Sequence, residues 1–313
     1  PALNQREMLE GIAEVRIGHG KVYGEEELIE EIKDIDGILM TSKVRMTKNV
    51  IDAGKRLKVI SKYGVGVDTI DVAYATKKGI VVCYTPGVNS DAVAEHTIGL
   101  LLATLRKIPQ SMAHLKEGGW REEKFLGEEL TGATVGIIGF GNIGFRLAKK
   151  LSGFEIRTLI YDPYVSKERI ENAGGEKVDL SVLLKESDIV SLNLALTPGT
   201  FHMIGENELR KMKPTSYLIN TARGALIDEK ALYRALKEGW IAGAGLDVFE
   251  DEPANQENPL FTLENVVITP HLGGSTHKAR QRLVIIAVEN LMRVLKGDLP
   301  EKENIINPEV LNL

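Results

Sequence analysis

A glycine-rich run near the middle of the chain constrains its fold more than any other feature. The apolar run that opens at Thr134 leads into Gly139, Gly141 and Gly144, which have the spacing Gly-x-Gly-x-x-Gly, and a helical pattern follows. We expect Gly139 to permit a tight turn, Gly141 to let the backbone approach a pyrophosphate, and Gly144 to let the helix pack closely on the sheet. The positive end of that helix would face the phosphates. The run therefore predicts a βαβ unit that binds a dinucleotide.

An acidic residue downstream distinguishes between the two common dinucleotides. Asp162 ends the predicted strand Ile156–Tyr161, about 18 positions after Gly144, where the motif expects an acid roughly 20 residues on. Its carboxylate can accept hydrogen bonds from a ribose diol and would repel a 2′-phosphate, so NAD is favoured over NADP. Gly144 is followed by Phe145 and Arg146 rather than Lys-Ser or Lys-Thr, which disfavours a nucleoside triphosphatase.

Composition limits the remaining classes of protein. A chain of 313 residues is long enough for two domains, and its net charge of -5 disfavours a nucleic-acid partner. The longest apolar stretches, such as Ile98–Leu105, are too short to span a bilayer. The single cysteine, Cys83, excludes an intramolecular disulfide and is typical of a reducing compartment. We therefore predict a cytoplasmic protein with neither a membrane nor a nucleic-acid partner.

Apolar, strand-like runs alternate with helical spacers along the chain, which predicts an α/β fold with doubly wound parallel sheets. Besides the run from Thr134 and Ile156–Tyr161, the predicted strands are Val15–Ile17, Gly37–Met40, Val59–Ser61, Ile80–Tyr84, Asp188–Asn193, Tyr217–Asn220, Ala242–Val248 and Val266–Thr269. The predicted helices include Asn4–Glu10, Glu25–Lys33, a long one from Asp91 to about Lys107, Ile204–Lys211, Glu229–Glu238 and Lys278–Leu295.

Two breaks in this alternation predict the domain boundaries. They lie at Thr85–Gly87 and at His271–Thr276, and both are typical of hinges. We predict a Rossmann cofactor domain over 87–275, inserted into a smaller substrate domain built from 1–86 and 276–313. Two neighbouring hinges would let a cleft open and close, which suits a reaction that must exclude water.

Polar segments follow three predicted strands in the second half, where ligands of such sheets bind. They contain Arg223, a carboxylate within Asp247–Glu252, and His271. An NAD dehydrogenase that acts on a hydroxy acid needs this combination. The arginine would bind the substrate carboxylate, the histidine would exchange the hydroxyl proton, and the acid would orient and charge the histidine.

Each candidate also has a purely structural explanation. Arg223 could be a solvated surface residue, His271 could merely cap a strand, and Asp251 with Glu252 could form a solvated acidic turn. His96 lies on an apolar helix, and we expect it to pack there rather than bind a ligand. No His, Cys and Asp cluster has metal-ligand spacing, so no metal site is predicted.

Taken together, these motifs resemble the D-isomer-specific 2-hydroxyacid dehydrogenase family, and most closely its phosphoglycerate dehydrogenase branch. The matching segments, in the family's order, are Gly64–Asp68, Val93–Thr97, Gly139–Gly144, Asn220–Gly224, Leu246–Pro253 and Pro270–Gly274. The resemblance implies that Arg223, Glu252 and His271 are catalytic, and that the backbone at Val65 and Gly66 meets the substrate carboxylate beside Arg223 and His271. The implied NAD contacts are Gly139, Gly141, Asn142, Ile143, Gly144, Asp162, Asn193, Thr221, Ala222, Asp247, Gly273 and Gly274.

The resemblance also implies a flavodoxin-like substrate domain and a homodimer formed through the cofactor domain, with the helix Asp91–Lys107 as our candidate contact. Two departures from the family pattern stand out. Family members usually have a strand before the first helix of the substrate domain, and we expect this chain to begin after that strand, either because it is truncated or because the tract is absent. Phosphoglycerate enzymes tend to have Arg-Ser after the strand Gly37–Met40, where this chain has Thr41-Ser42, which weakens the case for phosphoglycerate.

The predicted function is that of an NAD-dependent oxidoreductase, which transfers a hydride between nicotinamide and a D-2-hydroxy acid or 2-oxo acid. 3-Phosphoglycerate is one candidate substrate. A glyoxylate or hydroxypyruvate reductase is the first alternative, and a formate or phosphite dehydrogenase is another. An NAD(H)-binding regulator that resembles corepressors is the alternative from a different class.

Overall fold

The structure is a computed structural model that describes residues 8–9, 11–18 and 21–312. The chain divides into two compact units, a smaller one of Pro1–Asn89 with Thr276–Leu313 and a larger one of Ser90–Ser275. The predicted helix Asn4–Glu10 lies outside the described residues except for Met8 and Leu9, which are helical. The predicted strand Val15–Ile17 is wrong, because the structure describes these residues and assigns them to no strand.

The parallel α/β class predicted from the alternation is confirmed. The strands are β1 (Gly37–Met40), β2 (Val59–Lys62), β3 (Val81–Cys83), β4 (Thr134–Ile138), β5 (Arg157–Tyr161), β6 (Glu176–Lys177), β7 (Ile189–Leu192), β8 (Tyr217–Asn220), β9 (Gly243–Leu246) and β10 (Val266–Ile268). The α-helices are α1 (Glu25–Glu31), α2 (Lys48–Ala53), α3 (Val72–Lys77), α4 (Ser90–Leu105), α5 (Ile108–Lys116), α6 (Asn142–Leu151), α7 (Lys167–Glu171), α8 (Leu180–Glu186), α9 (Glu206–Leu209), α10 (Glu229–Lys237) and α11 (His277–Leu295).

In the smaller unit, β1, β2 and β3 form a parallel sheet in that order, and helices cover both of its faces. Successive residues of β2 point to opposite faces, so Ile60 packs in the core that α1, α2 and α3 cover, whereas Val59 packs in the core that holds Leu291 of α11. Cys83 is buried on the second face, and burial raises the pKa of its thiol to about 12, as befits a packing residue rather than a nucleophile. The flavodoxin-like description stays a prediction, because the described residues supply three strands to this sheet.

The larger unit has a parallel sheet in the order β10-β9-β8-β7-β4-β5-β6. The chain order reverses between β4 and β7, and in doubly wound sheets this switch point is where ligands bind, beyond the carboxyl ends of the strands. Ile137 and Ile138 of β4 lie in two different buried cores, one on each face of the sheet.

Helix α4 packs on the larger sheet with an apolar side. Leu100, Leu101 and Leu105 are buried there in the same core as Ile219 of β8. The helix begins at Ser90, one residue before the predicted start at Asp91. Among the described residues, the helices are all too short or too polar to cross a bilayer.

Candidate active site

Three loops of the larger unit begin where neighbouring strands end. They run 221–224 after β8, 247–252 after β9 and 269–273 after β10, and the three strands are adjacent and parallel. The carboxyl ends of parallel strands meet at one edge of a sheet, so these loops lie side by side. The structure thus brings Arg223, Glu252 and His271 to the same edge, where sequence reasoning placed them.

The first loop is shaped by Asn220, which is buried. Its side-chain oxygen accepts a hydrogen bond from the Ala222 amide at 3.0 Å, and its Nδ2 donates to the Arg223 carbonyl at 2.8 Å. These two bonds close the turn and fix the backbone that carries Arg223. The guanidinium, which is half-buried, also donates to the Ala222 carbonyl at 2.7 Å. The hydroxyl of Thr221, a predicted cofactor contact, lies 2.8 Å from the Thr97 hydroxyl of α4.

Glu252 and His271 form a directly hydrogen-bonded pair. Nδ1 of His271 lies 2.7 Å from Oε2 of Glu252, and the two side chains are 46% and 37% exposed, His271 being the more exposed. The hydrogen bond that His271 donates to the Glu252 carboxylate raises the pKa of His271, against the opposing effect of burial. Burial would raise the pKa of the Glu252 carboxyl, but the bond and charge of His271 outweigh it and hold that pKa below its usual range. With Nδ1 held in this way, Nε2 is the nitrogen that can exchange a proton with a ligand.

The backbone of His271 is unusual. Its φ is 54°, in the left-handed region that non-glycine residues seldom adopt. The His271 amide donates to the Asp247 carbonyl at 2.8 Å, and the Asp247 carboxylate accepts from the Leu272 and Gly273 amides, each at 2.8 Å. Asp247 was predicted to line the cofactor. The hydrogen bonds of its carboxylate hold the histidine loop and reach α4, so its cofactor contact stays a prediction.

The glycine-rich turn after β4 has the geometry that the sequence predicts. Gly139 has a φ of 92°, and a Cβ on Gly144 would lie 2.2 Å from the Gly139 carbonyl oxygen, so α6 sits too close to the turn for a side chain there. Gly141 precedes the first residue of α6, and no side chain of the described residues caps this end. The first amides of α6 are therefore available to an anion.

Asp162 lies against this turn. Its Oδ2 accepts from the Phe140 amide at 2.8 Å, and its Oδ1 accepts from the Tyr164 and Val165 amides at 2.9 and 3.1 Å. A carboxylate has about four acceptor positions, so one is left for a ribose hydroxyl. Asn193, after β7, adds a buried side-chain oxygen without a hydrogen-bond partner among the described residues. These features fit NAD.

The remaining predicted cofactor contacts all lie in the larger unit, at the first turn of α6, after β8 or in the loop after β10; they are Asn142, Ile143, Ala222, Gly273 and Gly274. Val65 and Gly66 lie in the smaller unit, in the loop after β2. There the Gly64 carbonyl accepts from both the amide and the hydroxyl of Thr85, at 3.1 and 2.9 Å. The role of Val65 and Gly66 toward a substrate carboxylate stays a prediction.

Sequence reasoning missed two features of this site. A Cβ on Gly224 would lie 1.8 Å from the carbonyl carbon of Phe249, so the arginine loop packs directly on the loop that carries Glu252. The Arg-Gly pair at a strand end was the available signal for that approach. The second feature is His96 of α4, whose Nε2 lies 3.2 Å from Oδ1 of Asp247, and nothing local in the sequence indicates this contact.

Comparison with known proteins places these features in a family. Residues 98–273 match the sequence model of the D-isomer specific 2-hydroxyacid dehydrogenase NAD-binding domain. The chain is 47% identical over 301 residues to a D-3-phosphoglycerate dehydrogenase of Methanocaldococcus jannaschii, an alignment that covers 96% of this chain and 56% of that protein. It is 45% identical over 291 residues to a glyoxylate reductase of Thermococcus litoralis, with 91% of this chain and 87% of that protein covered. The chain thus spans little more than half the length of the first relative.

A solved structure gives the same result. The D-lactate dehydrogenase from Aquifex aeolicus, solved with NAD and lactic acid, superposes with a TM-score of 0.83 at 36% identity, over 89% of this chain and 88% of that one. The matched sequence model and this NAD complex confirm NAD as the cofactor of the larger unit. The chain belongs to the D-isomer-specific 2-hydroxyacid dehydrogenase family.

Proposed function

We propose that this chain interconverts a D-2-hydroxy acid and the corresponding 2-oxo acid, with NAD as the hydride carrier. The observation that carries the proposal is the 2.7 Å pair of His271 and Glu252, which lies at the same edge of the sheet as the glycine-rich turn. A dinucleotide-binding fold alone does not determine a reaction. A histidine whose protonated form is stabilised by a neighbouring carboxylate can transfer a proton, and an arginine beside it can bind a substrate carboxylate.

In the reducing direction, the Arg223 guanidinium binds the substrate carboxylate and polarises the neighbouring carbonyl. Protonated His271 donates its Nε2 proton to the carbonyl oxygen as that oxygen gains negative charge. Glu252 keeps the imidazole oriented through Nδ1 and stabilises its positive charge. NAD, when bound, supplies the hydride chemistry. In the oxidising direction the same histidine, now neutral, accepts the hydroxyl proton.

Two substrate classes follow from the relatives, and both are proposals for this chain. One relative is a phosphoglycerate dehydrogenase and the other is a glyoxylate reductase. Thr41 and Ser42 follow β1 and are exposed, where the family's phosphoglycerate enzymes tend to have an arginine. Lys43 and Arg45 lie close beyond, also exposed, so a second anionic group on the substrate would meet positive charge only farther along the loop.

The deciding experiment is a panel of 2-oxo acids with NADH and with NADPH, followed by nicotinamide absorbance. The panel should contain glyoxylate, hydroxypyruvate, pyruvate and phosphohydroxypyruvate, with formate and phosphite tested in the oxidising direction. We expect turnover of at least one 2-oxo acid with NADH. Tight NADH binding without turnover of any of these compounds would instead indicate a regulator.

The role of His271 is tested by His271→Ala. Loss of general acid catalysis should lower turnover by about 10²–10⁴-fold with little change in NADH affinity. A matched control is His202→Asn, because Nε2 of His202 lies 3.0 Å from a carboxylate oxygen of Glu250 and the residue has a φ of 49° that asparagine tolerates. Near wild-type turnover of His271→Ala would contradict the role.

We also propose a cytoplasmic homodimer that forms through the larger unit. Most leucines of helix α4, our candidate for the contact, are buried in the core of their own unit. We therefore propose that the segment after α4 forms the contact. Large apolar side chains are exposed there, namely Ile108, Met112, Leu115, Trp120 and Leu126. Light scattering should give the mass of a dimer, and Met112→Glu with Trp120→Glu should give a monomer. A monomeric wild-type chain would refute the proposal.

A further inference from the structure

A second histidine–carboxylate pair lies behind the loop that carries His271. Nε2 of His96 on α4 lies 3.2 Å from Oδ1 of Asp247 and 3.1 Å from the Thr269 hydroxyl. Asp247 is 1% exposed and the His96 side chain 23%. We propose that His96 is a positioning residue that holds the Asp247 carboxylate, and through it the loop 269–273, so that His271 faces Glu252. The catalytic consequence rests on the proposed function, whereas the positioning itself does not.

Asp247 is the link between helix and loop. A buried carboxylate is tolerated only when its charge is compensated by hydrogen bonds or by a cation. Three donors come from the loop itself, the Thr269 hydroxyl at 2.5 Å and the amides of Leu272 and Gly273 at 2.8 Å. These donors flank His271 on both sides, and the His271 amide adds a bond to the Asp247 carbonyl. The position of the loop therefore follows the position of Asp247.

The loop needs this restraint because His271 has a left-handed backbone. A non-glycine residue keeps such a conformation only where its surroundings determine it. The Asp247 carboxylate fixes this conformation, since it accepts hydrogen bonds from the two amides directly after His271. If the carboxylate turned away, those amides would lose their partners and the loop could relax toward ordinary φ values. His271 would then move away from Glu252.

His96 reaches this network from a rigid element. The hydroxyl proton of Thr269 is directed at Asp247, so the oxygen of the same hydroxyl is free to accept from the Nε2 proton of His96. The imidazole therefore braces both groups from the helix side. The next residue, Thr97, makes the corresponding contact to Thr221 of the arginine loop. Adjacent residues of α4 thus hold two of the three loops of the site.

Burial alone would raise the pKa of the Asp247 carboxyl. Hydrogen bonds from His96, from Thr269 and from the two loop amides outweigh burial and hold that pKa below its usual range. The carboxylate is thus charged at neutral pH, as an acceptor of this many donors must be.

Three variants test the proposal in the protein without added cofactor, where no turnover is needed. His96→Ala removes the brace, His96→Gln restores a side-chain N–H at similar reach, and Thr269→Val removes the bridging hydroxyl at nearly constant shape. Amide hydrogen exchange of Leu272 and Gly273 is the readout. We expect exchange to rise on the order of tenfold in the alanine and valine variants and to return toward wild type with glutamine. His202→Asn, which changes another histidine of the same unit that lies beside a carboxylate, should leave this exchange unchanged.

Turnover of the best 2-oxo acid provides the second readout. His96→Ala should lower kcat about tenfold with the KM of the 2-oxo acid nearly unchanged, since Arg223 is not displaced, and His96→Gln should recover most of it. Unchanged exchange in His96→Ala would overturn the proposal whatever Thr269→Val shows, as would equal increases in exchange with glutamine and alanine. If the wild type turns over none of the 2-oxo acids, the proposed function fails, and the exchange result still decides whether His96 positions the loop.

Discussion

The close approach of two site loops makes Gly224→Ala the most demanding test of the structure. A Cβ at this position would lie 1.8 Å from the Phe249 carbonyl carbon, 2.0 Å from its oxygen and 2.3 Å from the Glu250 amide nitrogen. All three are backbone atoms, so no side chain can rotate away, and the two loops must separate by more than about 1 Å to reach van der Waals contact. Such overpacking costs about 1–3 kcal/mol, and a backbone clash belongs at the upper end.

For a unit of this size, about 1 kcal/mol corresponds to roughly 2–4 °C in Tm, so we expect Gly224→Ala to melt roughly 6–12 °C below wild type. Arg223 and Glu252 lie on the two displaced loops, and a misplacement of about 1 Å can lower turnover about 10²-fold. Thermal unfolding by circular dichroism and kcat for the best 2-oxo acid measure the two effects.

The matched control is Gly99→Ala. Gly99 lies inside α4, and a Cβ there would meet nothing within 4 Å. Alanine should therefore leave kcat unchanged and leave Tm equal or slightly higher, since glycine costs a helix about 0.5–1 kcal/mol. If Gly224→Ala has the same Tm as the control and keeps its turnover, the close packing of the arginine loop on the Glu252 loop is contradicted.

Three further predictions concern charge at the site. Glu252→Gln keeps the shape of the side chain but removes the charged hydrogen-bond acceptor that raises the pKa of His271. In the reducing direction, the pH at which kcat begins to fall should therefore move to a lower value. Near neutrality kcat should be reduced roughly tenfold, as expected for the loss of a half-exposed ionic hydrogen bond. The folded-state pKa of His271 is raised and that of Glu252 is lowered, so the pair stabilises the fold fully between about pH 4.3 and 6.5. This stabilisation decreases as the pH rises through the raised pKa of His271, and it also decreases as the pH falls through the lowered pKa of Glu252. The free energies of unfolding in urea of wild type and Glu252→Gln should therefore differ most inside that window, and parallel curves would contradict the pairing. Asp162→Ala should weaken the binding of NAD and reduce the preference for NAD over NADP, measured as the ratio of the two dissociation constants. An unchanged preference would show that Asp162 does not face the ribose.

Local sequence patterns predicted most of the sheet. Tyr217–Asn220 was predicted and observed with the same ends, because turn-forming residues bound a short apolar run. Val15–Ile17 failed because apolar character predicts a strand only where a neighbouring strand is there to pair with it, and Ile17 is half exposed. Helix α5 was not among the predicted helices, and its Pro109 lies in the first turn, where proline is well tolerated.

For the site, the rule that ligands lie at the carboxyl ends of parallel strands was enough to predict that Arg223, Glu252 and His271 share one edge of the sheet. It could not predict what holds them there. His96 and Thr269 are 173 positions apart in the chain, and their contact depends on how α4 packs across the sheet. Contacts of this kind depend on tertiary packing, which residue spacing alone does not specify.

Because both faces of the larger sheet are buried, polarity alone cannot fix the alignment of its strands. In a sheet with one wet face, a slip of one residue would expose apolar side chains to water, and polarity alone would prevent it. The central strands β4, β7 and β8 place side chains in the apolar cores on both faces, so a slipped central strand would still be hydrophobic on both sides. Alignment must then be set by shape. Gly136 and Gly245 provide it, because a Cβ on Gly136 would lie 2.5 Å from Leu183 and one on Gly245 2.9 Å from Leu100. The observed alignment places Gly136 beneath Ser187 and Leu183, and Gly245 beneath Thr104 and Leu100, whose side chains occupy the space that a Cβ would need.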